Sequence, residues 1–96
     1  MGVEFEILVH RNDENVHLKL AGDFDGSSAH ELLNTLKSYR LGVSRVFVHT
    51  SCLNQIHPLG RDVLRSNINA LNSKGIPLVF TGENAAQLAP EGSKLL

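Results

Sequence analysis

Cysteine is nearly absent from this 96-residue chain, and tryptophan is missing altogether. A single thiol, Cys52, excludes an intramolecular disulfide and any multi-cysteine zinc site. With four Phe, one Tyr and no Trp, the chain has little with which to stack nucleobases. An excess of charge is lacking too: nine Lys and Arg face ten Asp and Glu, a net −1. No bulk field therefore draws the protein to nucleic acid or to an anionic membrane. No apolar run approaches the ~20 residues of a membrane span. Met1 to Glu6 holds two acids instead of a signal-peptide core. The expectation is a cytoplasmic protein that neither binds nucleic acid nor inserts into a membrane.

What is present is the composition of an ordinary globular domain, 42% hydrophobic and 20% charged. The length predicts one domain over residues 1–96, burying roughly 60–65% of its unfolded surface, with little stability to spare. Phe5, Ile7 and Val9 alternate with Glu4, Glu6 and Leu8, the period of a half-buried strand. Arg11 to Asn15 is a polar turn, after which Val16, Leu18 and Leu20 alternate with His17, Lys19 and Ala21. An antiparallel hairpin ending at Gly22 is predicted. Asp23 to Ser27 then forms a loop, and Ser28 with Glu31 has capping-box spacing. Ala29, Leu32, Leu33, Leu36 and Tyr39 make a helical stripe, with Gly42 at its exit.

Val46-Phe47-Val48 is short and continuously apolar, as in a strand covered on both faces. Pro58 suits a first helical turn because its missing N–H would be unpaired there anyway. Leu59, Val63, Leu64, Ile68 and Leu71 form that helix's apolar stripe, while Arg61, Asp62, Arg65, Asn69 and Asn72 face outward. Lys74-Gly75 stops it, Ile76 to Thr81 is the next strand, and Glu83 to Ala89 a short helix ended by Pro90. The fold class is α/β in the order ββαβαβα. It implies a mixed, mostly parallel sheet of about four strands with flanking helices.

The junction Gln55-Ile56-His57-Pro58-Leu59-Gly60 joins strand to helix without a side-chain hydroxyl at the helix entrance. In α/β chains such junctions are where ligands and partners meet the fold. Gly22-Asp23-Phe24-Asp25 before the first helix, and the run from Val46 to Gly60, resemble the STAS domain of bacterial anti-sigma factor antagonists. The likeness extends over about Phe5 to Leu88. In that family the first segment reads Gly-Glu-Leu-Asp and the second Leu-Asp-Leu-Ser-Gly-Val-x-x-Ile-Asp-Ser-Ser-Gly. Ser51, Ile56 and Gly60 match. The family's aspartates fall at His49 and His57, and its serines at Pro58 and Leu59, the latter being the usual phosphoacceptor position.

A phosphate ester cannot form on proline or leucine. The resemblance therefore implies the family's docking surface without its switch, in which phosphate adds about −1.5 to −2 charge and blocks docking. His57 in place of an acid turns the local sign from acidic to neutral or weakly basic. Asp23 and Asp25 either join the docking patch or cap and solvate the loop. Arg61 and Arg65, four apart, are either docking residues or a solvated face.

His49, Cys52 and His57 match no standard metal spacing and have no fourth ligand, so no metal and no cofactor is expected. A buried, inert Cys52 is favoured over a nucleophile. Phosphorylation at Thr50 or Ser51 is disfavoured near a strand end lacking donors for a dianion. The resemblance implies a non-catalytic regulatory module that is not phosphorylated at the family site. It would bind an anti-sigma factor or related regulator through Asp23, Asp25, Ser51, Cys52, His57, Pro58, Leu59, Gly60, Arg61 and Arg65. The loop Ser51 to Gly60 and the helix behind it would form the surface. The alternative is a STAS-like soluble subunit of a membrane phospholipid ABC transport complex, docked onto its ATPase subunit.

Overall fold

A computed structural model describes residues 3–39, 43–72, 77–89 and 94–95. The chain runs β1 (Glu6–Asn12), β2 (Asn15–Phe24), α1 (Gly26–Lys37), β3 (Arg45–Ile56), α2 (Pro58–Asn72), β4 (Leu78–Thr81), α3 (Ala85–Leu88) and β5 (Lys94–Leu95). The sheet order is β1-β2-β3-β4-β5, with β1 antiparallel to β2 and every later pair parallel. The α/β class and the ββαβαβα order are as expected, and the two-residue β5 extends the sheet beyond four strands.

One sheet face carries Val16, Leu18 and Leu20 of β2, Val46 and Val48 of β3, and Leu78 and Phe80 of β4. Against it pack Ala29, Leu32, Leu33 and Leu36 of α1 with Leu64 and Ile68 of α2, all in one buried cluster. The alternate residues of β1 to β3 (Leu8, His10, His17, Lys19, Phe47 and His49) are exposed or half-buried. Helices thus cover one face of these strands, and β3 is not covered on both. A βαβ crossover need not alternate sides, and periodicity carries no information about that choice.

Several boundaries differ for tertiary reasons. The hairpin turn is Asp13-Glu14 alone, with Asp13 at φ 54, because pairing continues to Asn12↔Asn15. β2 passes through Gly22 to Phe24, and β3 is twelve residues long, because each extends the other's ladder. The segment 51–56 is therefore strand and not loop. Asp25, not Ser28, caps α1: its carboxylate accepts the Ser28 N–H at 2.9 Å. Tyr39 lies past the helix end yet packs on the core. Gly42, Lys74-Gly75, Ile76 and Pro90 lie outside the described residues, as do the side chains of Leu71 and Asn72.

Candidate functional site

Two β-bulges build the junction. Between Lys19↔His49 and Ala21↔Cys52, and again between Gly22↔Leu53 and Asp23↔Gln55, β3 spends one residue more than β2. Bulges bend a strand and re-aim its side chains. The second turns Asn54 toward Asp23, whose Oδ1 accepts the Asn54 amide at 2.9 Å. Asp23 Oδ2 accepts the Val3 N–H at 2.9 Å, and the Asp23 N–H donates back to the Val3 carbonyl at 3.0 Å. The chain before β1 is thereby tied to the end of β2.

These donors, Asn54 first and Val3 second, hold the Asp23 carboxyl below the usual carboxylate range. Asp25 is lowered likewise by the Ser28 backbone and hydroxyl. The Ser28 hydroxyl lies 3.0 Å from both the Asp23 carbonyl and Asp25 Oδ1. Asp23, Asp25 and His57 line one open groove with Asn54, Gln55 and the Val3–Phe5 stretch. Capping accounts for Asp25, whereas the buried Asp23 is a tether. Nothing in the spacing of Asn54 or Val3 signalled either contact, because the first depends on the bulge in β3 and the second on the close approach of the chain before β1 to the end of β2.

The helix entrance is set by Gly60. A Cβ there would meet the Asp25 backbone at 2.7 Å and the Phe24 carbonyl at 2.8 Å, so only glycine lets α2 start so close to α1. The His57 N–H donates to the Phe24 carbonyl at 2.9 Å, closing the same joint. Leu59 leaves the expected buried stripe: it is 67% exposed, beside Gly26 of α1. The helical period is correct, but this first turn overhangs the core. His57 and Pro58 are exposed with it.

Arg61 is half-buried and lies 3.5 Å from exposed Asp62, a pairing of adjacent residues that contributes little in solvent. Arg65 is exposed one turn further on. Ser51 and Cys52 are separated from this group, near the first bulge. Cys52 is exposed, contrary to expectation, and lies about 15 Å from His57 along the strand. Thr50 is fully buried, and its hydroxyl donates to the Thr81 carbonyl at 2.7 Å.

His49 is not at the junction at all. Because β3 is long, His49 sits mid-strand on the open sheet face, stacked on His17 with rings 5.2 Å apart. His17 Nδ1 and His49 Nε2 are hydrogen-bonded at 2.9 Å, and His49 Nδ1 pairs with the Thr81 hydroxyl at 2.5 Å. His17 also stacks on Phe47 at 4.7 Å and is half-buried. Among the described residues, no three His, Cys, Asp or Glu side chains are grouped to hold a metal ion.

Burial, followed by the charges of His17 and Lys19, pushes His49 below the ordinary histidine value. The unfolded chain therefore binds this proton more readily than the folded one. The stability is present above the unfolded value of roughly 6.5 and is lost as pH falls through the lower folded value. Melting at pH 7.5 and 5.5 should show a larger acid loss for the wild type than for His49→Gln. Equal losses would mean that the pair does not sense pH.

No protein-family model matches the sequence, and no curated protein matches it. Solved structures do. The anti-sigma factor antagonist SpoIIAA, in its unphosphorylated form, superposes with a TM-score of 0.67 at 11% identity, covering 97% of this chain and 87% of SpoIIAA. A serine-to-glutamate variant of RsbS from Moorella thermoacetica gives 0.66 at 17%, covering 94% and 85%. The fold is that of a STAS-like domain.

Mglu superposes with a TM-score of 0.67 at 23% identity over 90% of this chain; the chain spans 20% of Mglu's length. At these identities the likeness establishes the fold. The STAS-like junction of this chain carries Pro58 and Leu59 at the α2 entrance, and no helix among the described residues is long and apolar enough to cross a membrane.

Proposed function

We propose that this chain is a non-catalytic protein-binding module of the anti-sigma factor antagonist kind, docking through the α2 entrance. The observation that carries this reading is Leu59, a large apolar side chain 67% exposed on the first turn of α2. Large exposed apolar groups ringed by polar ones mark contact sites. His57 and Arg61 supply that ring beside Pro58, with Asp25 across the joint. The partner is an anti-sigma factor or a related regulator, in keeping with the likeness to SpoIIAA.

The module carries no phosphate switch at the entrance, since Pro58 and Leu59 lack hydroxyls. Its docking surface is therefore permanently competent. Capture of partners from the native cell, with the wild type, Leu59→Asp and the control Asn69→Asp, tests the reading. Leu59→Asp should weaken a specific regulator's binding by at least about tenfold, ~1.4 kcal/mol, and Asn69→Asp should not. Equal capture by all three would remove the entrance from consideration, and phosphate found by mass spectrometry within residues 58–61 would overturn the missing switch.

A further inference from the structure

We propose that β1 is a self-association edge, at which two copies of this chain pair β1 antiparallel to β1 about a two-fold axis at Leu8. β1 is the outermost strand and pairs, among the described residues, with β2 alone. An outer strand leaves one row of backbone N–H and C=O groups open, and proteins guard such rows with proline, lysine, bulges or a covering element. β1, Glu-Ile-Leu-Val-His-Arg-Asn, has neither proline nor lysine and keeps its charged residues, Glu6 and Arg11, toward its ends; its register with β2 is unbroken from Glu6↔Ala21 to Asn12↔Asn15. It is uncovered as well: Leu8 is 52% exposed on one face and Val9 51% on the other.

The open row is determined by the hairpin. Asn12↔Asn15 closes the two-residue turn as a hydrogen-bonded pair, so residues 12, 10, 8 and 6 turn their backbone groups toward β2. Ile7, Val9 and Arg11 turn theirs outward. A two-fold pairing must set outward groups opposite one another, so its axis passes through a residue, and the registers nearest the middle of β1 centre on Ile7, Leu8, Val9 or His10. Centring on His10 sets Val9 against Arg11. Centring on Val9 sets Ile7 against Arg11, and centring on Ile7 sets Glu6 against Leu8. Centring on Leu8 sets Leu8 against Leu8, Ile7 against Val9, and Glu6 against His10. Of the four, this register alone sets apolar against apolar on both faces, with Glu6 opposite His10 on the Leu8 face. The occupant that fits β1 is a second copy of β1.

A contact of one strand from each copy falls below the ~1,200 Å² of standard interfaces, so association is weak, in the range of about 10 µM to about 1 mM. Sedimentation velocity of the whole chain across that range should show the mass rising toward two chains. Exchange of the Val9 amide should slow with concentration. Leu8→Lys, which sets like charges opposite at the axis, and His10→Glu, which sets Glu against Glu, should each weaken association at least about fivefold. Adding Glu6→Lys to His10→Glu should restore it. All of these positions are exposed, and circular dichroism confirms that each variant is folded. A monomer at every concentration overturns the proposal, and so does association that Leu8→Lys and His10→Glu leave unchanged.

Discussion

Phe24→Ala is expected to lower the melting midpoint by more than about 12 °C. Truncating a fully buried Phe costs about 3–5 kcal/mol, and each kcal/mol is worth roughly 4–8 °C in a domain of this size. Phe24 is 0% exposed, and its ring meets Phe5 edge-on at 5.7 Å between centroids. Total stability is on the order of 0.05–0.15 kcal/mol per residue, so about a fifth of it or more rests on this side chain. The effect extends to the site, because the Phe24 carbonyl accepts the His57 N–H and abuts Gly60. Loosening Phe24 releases the start of α2. Thermal unfolding followed by circular dichroism reads the loss, and Phe24→Leu should fall between wild type and alanine. A shift of under about 3 °C for the alanine variant would mean that the core closes over the void.

Gly22→Ala should destabilise by about 1–4 kcal/mol, although Ala is ordinarily the better residue. Gly22 has φ +90, and a Cβ there would lie 2.0 Å from the Glu4 carbonyl oxygen. Alanine gains about 0.4–1 kcal/mol by restricting the unfolded chain. Against this stand about 1–2 kcal/mol for the left-handed backbone and about 1–3 kcal/mol for the overlap. The obstacle is backbone, which cannot rotate away, so the costs win. The chain around Glu4 must lift, breaking the paired hydrogen bonds between Val3 and Asp23. A lower urea midpoint should accompany faster amide exchange at Asp23. An unchanged midpoint with unchanged exchange would show that the close approach is not required.

Gly22 also shows where local reasoning stopped. A glycine after an alternating run reads as the end of a strand, and here it is the point that lets β2 continue beneath Glu4. The same holds for β3, where Ser51 to Ile56 has one buried apolar residue, Leu53, and no clear period. That stretch is strand because β2 offers it a ladder, and the bulges absorb the mismatch. Val9 alternates as a core residue should, yet it is 51% exposed on the outermost strand, while Ile7 on the same face still packs against the core. Leu59 keeps its helical phase but overhangs the core at the end of α2.

Those divergences mark the boundary between the two sources of information. Side-chain period and backbone chemistry act over a few residues, and they determined the α/β class, the order ββαβαβα, the stripe of α1, Pro58 at the head of α2 and the missing hydroxyl at the entrance. Which face a helix covers, how far a strand runs and which distant residues meet depend on packing between segments. Tertiary structure alone therefore exposed Leu59, tied Val3 and Asn54 to Asp23, and stacked His49 on His17.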